Sequence, residues 1–172
     1  MENIVIRNIK KEDIPQVIDI QILGWQTAYK GIIDDTFLNS MDRDERIEMR
    51  NKDYNQNGFI VAEYNNEILA FSRYIDNNSF SPQTPDIDCE ITALYTKPNL
   101  KGKGIGTKIF NYIINEFKQL NKEKMIIWCL KENYPARKFY EKMGGTIIGE
   151  KTINFGNKDY MEVGFLYNIN EL

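Results

Sequence analysis

Histidine is absent from the 172 residues of this chain. That absence removes Ser–His and Cys–His nucleophile pairs and every histidine-containing zinc site, and no metal is expected. Proton transfer must fall to carboxylates, tyrosine, lysine, cysteine or water. Cysteine is scarce: Cys89 and Cys129 are the two present. Both fall in apolar stretches that read as strands, where a lone cysteine acts as a small buried hydrophobe in a reducing compartment. No apolar run approaches the ~18 residues of a membrane-crossing helix. The first residues lack the apolar core of a signal peptide, so a cytoplasmic location without membrane attachment is expected. The net charge of −3 comes with no basic stripe interleaved with aromatics, which argues against nucleic acid as a partner. No internal repeat or low-complexity tract stands out. At 42% hydrophobic and 27% charged residues, the composition is that of an ordinary globular protein. The length fits one domain, residues 1–172.

Positive charge is nevertheless concentrated in one stretch, Ile87 to Leu120, which reads as strand, turn and helix. The strand is Ile87 to Thr96, the turn Leu100-Lys101-Gly102-Lys103-Gly104-Ile105-Gly106, and the helix runs from Thr107 to about Leu120. Glycines at alternate positions remove the Cβ atoms that would hold a ligand off the backbone. Amide N–H groups of such a turn, joined by those of the helix start, converge on one concavity suited to a phosphate or pyrophosphate. Lys97, Lys101, Lys103 and Lys108 lie around it. Two common phosphate loops fail on spacing. A Rossmann fingerprint beginning at Gly102 needs glycine at the position held by Thr107, and a P-loop needs Gly-Lys where the chain reads Gly106-Thr107-Lys108.

The flanking chain divides into short alternating elements. Ile4–Arg7 reads as a strand, and Asp13, Pro15 and Gln16 form a capping-box-like helix start. Ile14, Val17, Ile18, Ile22 and Trp25 then give an amphipathic helix that runs to Tyr29 and breaks at Gly31. Asp42 and Glu45 begin a second, highly charged helix reaching about Tyr54. Phe59–Tyr64 and Ile68–Tyr74 form a hairpin around Asn65-Asn66. Asp76–Asp86, with Pro82 and Pro85, reads as an exposed loop. After the Gly-rich turn, Ile105, Ile109, Phe110, Ile113, Ile114, Phe117 and Leu120 make one broad apolar helix face. Lys124–Leu130 is an apolar strand, parallel to the strand before the turn through a right-handed crossover. A short helix starts at Pro135 and stops at Gly144, and strands Thr146–Asn154 and Asp159–Asn168 close the chain around Gly156-Asn157.

The pattern basic-x-x-Gly-x-Gly at Lys101, Gly104 and Gly106 resembles the pyrophosphate motif of the GNAT superfamily of N-acetyltransferases, with Lys101 where Arg or Gln is usual. A second stretch, Asn133-Tyr-Pro-Ala136-Arg-Lys-Phe139-Tyr140-Glu-Lys-Met-Gly144, is similar to that family's Asn-x-x-Ala-x-x-Phe-Tyr-x-x-x-Gly. The family usually continues with Phe; this chain has Gly145, a departure expected to loosen packing at the next strand. The resemblance runs from Ile4 nearly to the C-terminus. It implies an α/β (α+β) fold with a mixed, mostly antiparallel sheet of about seven strands, a splayed parallel pair and about four helices.

What the resemblance implies about chemistry is specific. The turn, Lys101, Gly102, Lys103, Gly104, Ile105, Gly106 and Thr107, would seat the pyrophosphate of acetyl-CoA, and backbone groups of Leu94, Tyr95 and Thr96 would pair with its pantetheine arm. Glu90 would take a proton from the acceptor amine through water, and Tyr140 would protonate the departing thiolate. Asn133 would bond the cofactor. Each has a plainer reading beside it: a strand carboxylate paired with a neighbouring cation, a core aromatic and a helix cap. Trp25, Tyr29 and Phe37 would wall the acceptor pocket, or belong to the core; Asp34 and Asp35 would attract a cationic amine, or face solvent. The leading expectation is an acetyl-CoA-dependent bacterial N-acetyltransferase acting on a primary amine by direct attack, with homodimerisation common among relatives. The alternative is a non-catalytic acyl-CoA-binding sensor or interaction module.

Overall fold

The computed structural model describes residues 3–56, 58–77 and 86–172, so most of the Asp76–Asp86 loop lies outside the described residues. Among the described residues, seven strands form one hydrogen-bonded sheet. They are β1 (Val5–Asn8), β2 (Phe59–Tyr64), β3 (Glu67–Ile75), β4 (Cys89–Thr96), β5 (Lys124–Leu130), β6 (Thr146–Phe155) and β7 (Lys158–Asn168), in the sheet order β1-β2-β3-β4-β5-β7-β6. Among the described residues, five α-helices accompany them: α1 (Ile14–Ala28), α2 (Asp35–Asn39), α3 (Arg43–Asp53), α4 (Ile105–Gln119) and α5 (Tyr134–Lys142). The chain forms two compact units, Met1–Arg73 with Ala93–Tyr112, and Tyr74–Thr92 with Ile113–Leu172. Strand β4 and helix α4 each contribute residues to both.

In the first unit β1, β2 and β3 are antiparallel neighbours. Asn65 and Asn66 take φ of 50° and 64°, the left-handed pair that a two-residue hairpin requires. Helix α1 buries Ile14, Val17, Ile18 and Ile20 in one core cluster with Phe59, Val61, Ile68 and Phe71. Its start differs from expectation. Asp13 makes no side-chain cap bond; its carboxylate accepts from Arg7 at 2.7 and 3.0 Å and from the Lys10 amide at 2.7 Å. Gln16 accepts from the Ile68 amide at 2.9 Å and ties α1 to β3. Helix α2 is the element beyond the expected four. Asp34 caps it, accepting from the amides of Thr36 and Phe37, so this carboxylate is engaged by the fold rather than facing solvent alone. Asp42 caps α3 through the Glu45 amide at 2.8 Å, as its spacing predicts.

In the second unit β4 and β5 form the parallel pair, with three register partners from Cys89↔Met125 to Ile91↔Ile127. Strand β4 runs on to Thr96 and β5 to Leu130. Strand β5 pairs antiparallel with β7, and β7 with β6. Gly156 and Asn157 turn the last hairpin with φ of 55° and 69°. Buried Ile113, Ile114, Phe117, Met125, Ile127 and Phe165 supply its apolar core.

Candidate active site

The Gly-rich turn follows β4 in the first unit, after a 3-10 turn at Pro98–Leu100. Gly102 and Gly104 take φ of +79° and +80°, and a Cβ at either would meet nothing within 4 Å. Glycine is therefore demanded here by backbone conformation, and the side it leaves bare is open. Helix α4 starts at Ile105, two residues earlier than its sequence suggests, so Gly106 lies in its first turn. The helical ladder opens with the Lys108 amide donating to Gly104 carbonyl at 3.0 Å. The amides of Ile105 and Gly106 precede it, at the positive end of the helix dipole. Lys101 and Lys103 are exposed beside the turn. Lys97, which precedes the turn, pairs its ammonium with Glu67 of β3 at 2.5 Å. An open, amide-rich turn with two exposed lysines at a helix start fits a pyrophosphate.

Leu94, Tyr95 and Thr96 are half-buried on β4. The Ser72 hydroxyl donates to Ala93 carbonyl at 2.5 Å, and the Lys97 amide to Leu69 carbonyl at 2.9 Å. These two contacts run in opposite senses and make β3 and β4 antiparallel. The Tyr95 ring stacks on Phe71, with centroids 5.4 Å apart. Gly24 of α1 admits that ring: a Cβ there would lie 3.1 Å from Tyr95 Cδ1. The Tyr95 hydroxyl lies 3.1 Å from that of Tyr29. Trp25 meets Tyr29 edge-on at 5.2 Å and Phe37 at 6.3 Å, so the three aromatics singled out by spacing are one cluster, and Tyr95 joins it. Phe37 also lines a cavity of about 340 Å³ with Ile18, Met41, Arg46 and Met49.

Tyr140 and Asn133 belong to α5 in the second unit. Asn133 is the N-cap: its side-chain oxygen accepts from the Ala136 amide at 3.4 Å. Tyr140 is buried, with its ring 5.6 Å from those of Phe139 and Phe165. The carbonyl of Tyr140 accepts from the Tyr167 hydroxyl at 3.0 Å. That contact overturns the expected effect of Gly145. A Cβ on Gly145 would lie 2.7 Å from Tyr167 Cζ and its hydroxyl oxygen and 3.1 Å from Phe165 Cβ. The missing side chain is replaced by a fully buried tyrosine ring, and packing there is tight. Burial pushes the Tyr167 hydroxyl well above the usual tyrosine range, which keeps it a donor.

Glu90 is 5% exposed on β4. Two residues that sequence reasoning passed over share its surroundings. Glu162 and Lys151 are register partners on β7 and β6, and their charged atoms lie 3.4 Å apart. The Lys151 ammonium also sits 4.2 Å over the Trp128 ring. Burial lowers the Lys151 pKa, against the pull of Glu162 and Glu90; burial likewise raises that of Glu162, with Glu90 adding to the rise. No motif marks this cluster; alternation of charged residues in β6 and β7 was the one available signal. Burial pushes the Cys129 thiol up to about 12 and that of Cys89 further, so neither offers a thiolate near neutral pH. Among the described residues, no group of three or more Cys, Asp or Glu side chains is placed to hold a metal ion.

A family model described as acetyltransferase (GNAT) family matches residues 25–145. The chain belongs to this family. This GNAT acetyltransferase is 28% identical over 138 residues to an uncharacterized N-acetyltransferase of Archaeoglobus fulgidus, covering 78% of this chain and 88% of the relative. It is 26% identical over 149 residues to a spermidine N(1)-acetyltransferase of Thermoplasma acidophilum, covering 83% and 88%. Its fold matches the crystal structure of a PaiA N-acetyltransferase from T. acidophilum in complex with coenzyme A. The TM-score is 0.69 at 18% identity, over 96% of this chain and 99% of that one.

Proposed function

We propose that this GNAT protein, acting as one catalytic domain over residues 1–172, transfers the acetyl group of acetyl-CoA to a primary amine by direct attack. The observation that carries the reading is the turn at Gly102 and Gly104, whose left-handed backbone and open side suit a pyrophosphate at the start of α4. Acetyl-CoA supplies an activated thioester. Backbone groups of Leu94, Tyr95 and Thr96 pair with the pantetheine arm, and Asn133 adds a polar contact. An amine of pKa ~10.4 is almost wholly protonated at pH 7, so its proton must leave before nitrogen can attack. Glu90 accepts that proton through water, and the Tyr140 hydroxyl donates one to the thiolate as the carbon–sulfur bond breaks. Trp25, Tyr29, Phe37 and Tyr95 wall the acceptor. The relative named as a spermidine N(1)-acetyltransferase supports small cationic amines as acceptors. Two buried free cysteines suit the reducing cytoplasm.

The test is label transfer from isotopically labelled acetyl-CoA in the presence of a cell extract. Label in the small-molecule fraction is the expected outcome and gives the product mass. Label in the protein fraction points to a peptide amine instead. Coenzyme A binding without transfer to either fraction sinks the catalytic reading.

A further inference from the structure

Strand register places four side chains of the second unit on one sheet face. Alternate residues of a strand share a face. On β5 Trp128 shares a face with Ile126, the register partner of Glu90. Trp128 is opposite Gly164, which shares its face with Glu162, and Glu162 is opposite Lys151. Gly164 makes the arrangement possible: a Cβ there would lie 2.9 Å from Trp128 Cη2 and Cζ3, so the indole lies flat across β7. The Lys151 ammonium rests on that indole beside Glu162, with side-chain exposures of 15% and 12%.

A buried ion pair is a poor device for stability, because apolar residues of the same volume usually serve as well or better. Holding three charged groups on one buried face therefore calls for another role. A primary alkylammonium, that of Lys151, already sits on an aromatic face beside a carboxylate. The face carries two acidic side chains for one basic one, a balance that favours a further cation over an anion.

We propose that Glu162 and Lys151 are specificity-determining residues, which with Glu90 and the face of Trp128 select an acceptor bearing a primary alkylammonium and no carboxylate beside its nitrogen. The proposal rests on the acetyltransferase reading, in which Glu90 meets the acceptor amine. The plainer role for the pair is a tie between β6 and β7.

The experiment uses pentylamine and norleucine, which differ by one carboxylate. Release of the free coenzyme A thiol gives kcat and KM, and calorimetry gives pentylammonium binding to the protein loaded with coenzyme A. The expected preference for pentylamine is about tenfold or more in kcat/KM, since like charges placed together are strongly disfavoured. Glu162→Gln narrows that preference about tenfold, through a raised KM for pentylamine, and weakens pentylammonium binding by a similar factor. Glu162→Asp restores part of both. Lys151→Met, which leaves two carboxylates without their lysine, widens the preference. Equal use of both acceptors, or a preference unmoved by Glu162→Gln and Lys151→Met, overturns the proposal. Absence of thiol release from either acceptor counts against the acetyltransferase reading, and calorimetry then decides the subsite. Binding that weakens in Glu162→Gln upholds it; absent or unchanged binding overturns it.

Discussion

Asp13 occupies a helix-cap position, yet its carboxylate is held by Arg7 and the Lys10 amide. Burial alone would raise its pKa; the Arg7 hydrogen bond, the Lys10 amide and the arginine charge together outweigh burial and lower it. A carboxyl depressed in the folded state contributes stability that is present above its unfolded value of ~3.9 and is lost as pH falls through the lower folded value. Asp13→Asn is expected to cost about 2 kcal/mol at pH 7, because it leaves Arg7 short of one partner. Urea midpoints of the two proteins should converge as the pH is lowered from 5 towards 2 (roughly the span of carboxylate titration); a gap that persists unchanged contradicts the assignment. Tyr140 is tested at the same scale. As proton donor to the thiolate, Tyr140→Phe lowers kcat by about 10²-fold while coenzyme A still binds. A purely packing Tyr140 leaves kcat unaltered in that variant.

At the scale of elements, α5 and β7 meet through a glycine that departs from the family pattern. Gly145 leaves the space that Tyr167 fills, and the Tyr167 hydroxyl returns to the carbonyl of Tyr140. Gly145→Ala places a methyl group against a ring that has no room to retreat, and is expected to cost about 1–3 kcal/mol by overpacking. Denaturant unfolding measures the cost, and a variant as stable as the parent contradicts the close approach. The elements themselves were largely legible from sequence. Asn65-Asn66 and Gly156-Asn157 mark hairpins because two adjacent left-handed residues are needed there. Helix α4 declares itself by a continuous apolar face. Helix α2 was missed because five residues carry too little periodicity to register, and its Asp34 cap reads equally well as a loop acid.

For the whole molecule, ligand binding is linked to unfolding. Coenzyme A at a hundred times its dissociation constant should stabilise the folded state by ~2.7 kcal/mol. In a chain of this size that raises the melting temperature by roughly 5–10 °C. Gly104→Ala, strained at a φ of +80° and with its methyl in the open side of the turn, should show a smaller shift. An equal shift in both proteins places the coenzyme elsewhere.

The sequence by itself determined the family, the strand order, every α-helix described but α2, and the phosphate-suited turn, since these are written in short local spacings such as Lys101 to Gly106 and Asn133 to Gly144. Local spacing says nothing about which distant side chains meet. Asp13 paired with Arg7 rather than capping α1, and Lys97 found a partner in Glu67 of β3. Tyr95 reached Tyr29 because Gly24 made room for its ring. Glu90, Trp128, Lys151 and Glu162 lie on four different strands and share one face through register alone. Only the tertiary structure decided those contacts, because a strand's partner and its register are set by long-range packing, and a shift of one residue would turn each side chain to the opposite face.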